Sequence, residues 1–122
     1  MAADPDMRLR PPTVDELEAD WLTGRDCTMS DGLLPPFENP EAVWQAVLRV
    51  LQRELTEDQV ALLAAGPLED LLARYGVQFI ERVEAEAKQS PALAHLLGGV
   101  WRQGMPPEIW HRVETARAGQ VW

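Results

Sequence analysis

The chain has one cysteine, Cys27. A lone cysteine excludes an internal disulfide and a thiolate zinc cage, and it suits a reducing compartment. Lysine is almost missing as well: Lys88 stands against ten arginines, which reads as a compositional habit and not as a binding signal. No apolar run comes near the ~20 residues that span a bilayer; Val60 to Ala65, Val-Ala-Leu-Leu-Ala-Ala, is among the longest. The opening Met-Ala-Ala-Asp-Pro-Asp lacks a basic stretch followed by an apolar one, so no signal peptide and no membrane segment are expected, and a cytoplasmic protein is. Alternating β-branched runs are missing too, which removes the signal for strands. The rest, at 122 residues and 46% hydrophobic, has the size and apolar content of one globular domain. Residues 1–12 read as an N-terminal arm, and 13–122 as that single domain.

Charge is plentiful but one-sided. The 20 acids and 11 bases leave a formal net charge of −9. The first forty residues hold nine acids and three bases, the next thirty-six hold six and three, and the remainder is balanced at five and five. Such acidity disfavours direct nucleic-acid binding, because phosphates would be repelled. Acids clustered at one end instead create a field that attracts a basic surface, unless they form only a solvated face.

Prolines and glycines punctuate a succession of helical patterns. Thr13 with Glu16 is a capping box that opens a helix near 14–23, closed by Gly24. A loop of about fifteen residues comes next, pinned by Leu33, Leu34 and Phe37. Asn39-Pro40-Glu41 opens a helix to about 54 with Trp44, Val47, Leu48, Leu51 and Leu55 on one face. Thr56 and Gln59 cap a helix over 57–65, and Pro67 opens one over 67–75 that Gly76 closes in a left-handed turn. Helices over 77–88, 91–102 and 107–117 complete the chain. The expectation is an all-α domain of six to seven short helices, packed as antiparallel hairpins (40–54 with 57–65, 67–75 with 77–88, 91–102 with 107–117) in a compact bundle or a short α-solenoid.

Constellations that carry chemistry are scarce. His95 and His111 are the two histidines, and Glu108-x-x-His111 is a single copy of a pair that di-iron bundles use twice. Cys27 has Arg25 and Asp26 beside it and no base, so it is not an activated nucleophile. Gly98-Gly99 lacks the further glycine or lysine of a phosphate loop. No metal, cofactor or catalytic residue is assigned. The five tryptophans are more informative: Trp44, Trp101 and Trp110 fall on helical stripes and read as core, whereas Trp21 and Trp122 read equally as core edge or as interface.

One stretch resembles a known family. Gly66-Pro67-Leu68-Glu69-Asp70-Leu71-Leu72, then Tyr75-Gly76, then a helix rich in Glu and Ala, then Leu97-Gly98-Gly99-Val100-Trp101 is similar to the pattern of a family of small bacterial domains of unknown function. Asn39-Pro40-Glu41 and Trp44 match it upstream. The resemblance covers about residues 38–114 and leaves the acidic N-terminal segment largely outside. It implies a helical fold and a bacterial origin, and no established activity. Within its motif, Pro67, Leu68, Glu69, Asp70, Gly76 and Trp101 read as structural, with Glu69 or Asp70 accepting hydrogen bonds from backbone donors of a neighbouring helix.

These readings converge on a non-enzymatic protein that binds another protein, as an inhibitor or immunity-type antagonist covering a basic surface. Its candidate contacts are Asp15, Glu16, Glu18, Asp20, Trp21, Asp26 and Asp31. Two other readings stay open: a phage-type antagonist that mimics nucleic-acid charge, and a small metal-dependent or acid–base enzyme built on His111 and nearby carboxylates. A homodimer also stays open.

Overall fold

A computed structural model describes residues 11–24, 29–30, 32–36, 38–102 and 104–117. Among them there is no strand, and five helical rods are defined. The first is α1 (Val14–Leu22) and the second α2 (Pro40–Leu51). The third runs as α3 (Glu57–Leu63), a π-helical turn (Ala64–Leu68) and α4 (Glu69–Gln89), the last kinked at Tyr75. Two short rods, α5 (Pro91–Leu97) and α6 (Pro107–Ala116), complete the set.

The rods begin where local chemistry starts them. The Thr13 hydroxyl accepts the Glu16 amide at 3.2 Å while Glu16 accepts the Thr13 amide at 2.9 Å. Thr56 and Gln59 repeat this exchange at 3.1 and 2.9 Å. Asn39 takes the Ala42 amide and Ser90 the Leu93 amide, each ahead of a proline at the first helical position. Every one of these bonds satisfies an amide that the helix itself leaves orphaned. Asn39 does more: its side-chain amide donates to the Pro12 carbonyl at 2.9 Å and its backbone amide to Gly32 O at 2.7 Å. The entry to α1 and the loop before α2 are thereby tied to one residue.

Packing tracks the apolar stripes. α1 lies on α2, burying Leu17 and Trp21 against Val43, Ala46, Val47 and Val50. α4 is the central rod: α5, α6 and α2 all pack on it, through Leu71, Leu72, Phe79, Ile80 and Val83. Trp44 and Phe79 meet at 6.4 Å between ring centroids, tilted by 54°, a favourable edge-on geometry. Tyr75 anchors the loop, its hydroxyl lying 3.3 Å from the Leu33 carbonyl and 3.4 Å from the Glu38 carboxylate, which share its single hydrogen.

The structure departs from the expected hairpins at Gly66-Pro67 and at Gly76. Gly66-Pro67 does not end a helix, so 57–65 runs on into 67–75, whereas directly before Gly76 the backbone leaves helical geometry at Tyr75 and two helices meet across a kink, not a hairpin loop. Proline cannot donate the usual helical hydrogen bond. Here the backbone widens into a π turn instead of stopping, and the Glu69 amide reaches the Ala64 carbonyl five residues back. One extra residue in a turn rotates the next stretch of helix by about 100°. Gly76 is helical, not left-handed; the positive backbone φ belongs to Gly24, at 91°. The missing side chain of Gly76 serves packing, since a Cβ there would lie 2.8 Å from Ile109 Cγ2. That close approach of α6 coincides with the kink at Tyr75 (φ −129°, ψ 21°). The helices expected over 40–54 and 91–102 also stop early, at Leu51 and Leu97.

Candidate functional site

The rotation at the π turn has a chemical result. Glu69 is 1% exposed and is the one buried charged side chain among the described residues. Its Oε1 accepts the Trp101 backbone amide at 2.7 Å, a short hydrogen bond in a buried setting. The amides of Gly98, Gly99 and Val100 are already taken by the His95, Leu96 and Leu97 carbonyls at the end of α5. Glu69 thus serves the first amide that α5 cannot reach. Val100 on one side and Met105 on the other are buried, and the Met105 amide closes a turn onto the Arg102 carbonyl. Between these two fixed points Trp101 is 73% exposed. A tryptophan on a helical stripe is expected to be core; Trp101 lies outside any helix and faces water instead.

Trp21 corrects the expectation in the other direction. It is 4% exposed and packed into the α1–α2 core, so it leaves the candidate contact surface. Its indole nitrogen has no hydrogen-bond partner among the described residues. Periodicity shows that α1 has an apolar face but not which neighbour covers it, and α2 covers this one. Of the other tryptophans, Trp44 is buried as expected, and Trp110 is half-buried beneath the Arg117 guanidinium at 5.3 Å.

The acids of α1 are largely engaged within the fold. Asp15 pairs with Arg49, and Glu18 bridges Arg49 at 3.5 Å and Arg53 at 3.1 Å. Glu16 reaches back to cap its own helix. Asp20 is half-buried on the same helix. Asp26 and Asp31, with Cys27, Phe37 and Trp122, lie outside the described residues. Further along, Glu41 grips Arg82, with Oε2 to Nη2 at 2.8 Å, and that guanidinium holds the carboxyl down at about 2. Arg112 donates to Glu84 at 2.9 Å and lowers its pKa likewise. Burial pushes the Tyr75 hydroxyl up, helped by Glu38.

Pro67 and Leu68 are buried in the π turn, Asp70 is half-buried at the start of α4, and Gly76 is the contact point for α6. His111 sits exposed on α6. His95 borders a shallow depression with Glu57 and Asp58. Among the described residues no group of three or more His, Cys, Asp or Glu could hold a metal ion, and no helix is long and apolar enough to cross a membrane.

No curated protein and no solved structure matches the chain. A family model does, over residues 13–121. It extends well past the 38–114 of the sequence resemblance and takes in α1, whose place in the unit is set by packing on α2 and not by any short motif. The chain belongs to the family of unknown function DUF6869.

Proposed function

We propose that this protein works by binding another protein, with Trp101 as its anchor, and acts as an inhibitor or antagonist of a partner that presents a basic surface. The observation that carries this reading is the pairing of an exposed indole with a backbone held by a buried carboxylate. A single exposed apolar residue is ordinary. A tryptophan fixed between two buried residues is different, because it loses little freedom on association, and such aromatics dominate interface energies. The formal charge of −9 favours a basic partner and a salt-sensitive encounter. The single cysteine suits action in the cytoplasm.

Quantitative capture from the native host, with wild type compared against Trp101→Ala, tests the reading. A basic protein held by wild type should be weakened about 10- to 30-fold in the variant, the scale of an interface anchor, while the melting temperature stays unchanged. Equal retention by both proteins would refute it.

A further inference from the structure

We infer that the depression between α3 and α5 is a second docking surface, one that takes a cationic, amphipathic segment of a partner protein. The inference rests on reading the chain as a binding protein, but not on Trp101. The depression has a volume of about 430 Å³ and is lined by Leu55, Glu57, Asp58, Val60, Ala61 and His95. Leu55 and Val60 are half-buried against the core and form an apolar floor. No lysine or arginine is among the described residues that line the depression.

Some carboxylates of the fold are paired with arginine, and others, at this edge and at Asp20, Glu86 and Glu108, are in no ion pair among the described residues. Asp15, Glu18, Glu41 and Glu84 are each matched to an arginine. Glu54, Glu57 and Asp58 are in no ion pair among the described residues, and all three are exposed. Arg49 and Arg53, the nearest arginines in sequence, are turned to α1. Glu57 and Asp58 do favour the positive end of α3. Yet the capping there is done by Thr56 and Gln59, and Glu54 precedes the helix. Unmatched carboxylates above an apolar floor are complementary to a segment with lysine or arginine on one face and aliphatic side chains on the other. Nucleic acid is disfavoured by the same charges. A bare metal ion is disfavoured by the lack of a convergent ligand set among the described residues.

The test titrates the full-length isotope-labelled protein with a synthetic Leu/Lys amphipathic peptide of about four helical turns, followed by amide NMR at about 0.15 M salt. Shift changes should saturate and map to residues 54–62 and 95. Glu57→Gln with Asp58→Asn should weaken binding about 5- to 10-fold. Both substitutions leave the Thr56/Gln59 cap in place, so the fold is retained. Asp15→Asn with Asp20→Asn should change nothing, and a Leu/Glu peptide should not bind. Shifts centred on α1 or spread over the surface, undiminished affinity in the neutralised variant, or no saturation up to about 1 mM peptide would each overturn the inference. The outcome is independent of Trp101: Trp101→Ala should leave this titration unaltered, so failure here and failure of the anchor reading are separable.

Discussion

Glu69→Ala is the substitution whose cost can be worked most directly from the geometry. The carboxylate is 1% exposed and holds the Trp101 amide at 2.7 Å. A hydrogen bond contributes about 0.5–1.5 kcal/mol net, and a buried amide left without a partner adds about 1–3 kcal/mol of desolvation cost. Truncation at a buried site also opens a small cavity. Together these give a loss of about 2–4 kcal/mol. At roughly 4 °C per kcal/mol for a domain of this size, the melting temperature should fall by about 8–15 °C. Thermal unfolding monitored by circular dichroism measures the fall, and native-state hydrogen exchange locates it: the Trp101 amide should lose protection while α1 and α2 keep theirs. Glu69→Gln keeps an acceptor oxygen for the Trp101 amide, so it should fall in between, at about 1–2 kcal/mol. A Glu69→Ala protein within about 0.5 kcal/mol of wild type, with the Trp101 amide still protected, would refute the view that this carboxylate fixes the loop.

The same contacts set three further outcomes. Trp101→Ala should change stability by no more than about 0.5 kcal/mol, whereas Trp44→Ala should cost about 3–5 kcal/mol; chemical denaturation separates the two. Gly76→Ala should cost about 1–3 kcal/mol because the new methyl would meet Ile109 Cγ2 at 2.8 Å, and the same change should cost less in an Ile109→Ala background, where that γ carbon is gone. The Glu41 carboxyl is held at about 2 by Arg82, below its ordinary 4.5. Its stabilising effect is therefore full above about pH 4.5 and lost as pH falls toward 2. Arg82→Ala should return the Glu41 midpoint toward 4.5 in a carboxyl NMR titration, at a stability cost under about 1 kcal/mol because the pair is exposed.

The parts of the fold legible in the sequence are those set by three or four neighbouring residues. Thr13/Glu16, Asn39/Pro40, Thr56/Gln59 and Ser90/Pro91 each announce a helix start, and each makes the cap bond in the structure. Local rules fail where a distant partner decides. Gly66-Pro67 has every local mark of a helix end, yet the rod continues, since a π turn keeps both flanking helices on one core. Gly76 suggests a cap, but its role is set by Ile109, thirty-three residues later. Trp21 and Trp101 exchange roles for the same reason: what covers an aromatic is a property of the assembled helices, not of its spacing. Glu69 is legible as an acceptor for backbone donors. That its donor is the amide of an exposed tryptophan is not, because nothing local places 98–101 beside the start of α4.

A photoreactive benzophenone side chain in place of Trp101, irradiated in the native host, tests the binding account most directly. The account expects one discrete crosslinked adduct with a basic protein, and none when the same group replaces the exposed Val77 on α4. A position 101 that yields no adduct, or the same diffuse background as position 77, would contradict it.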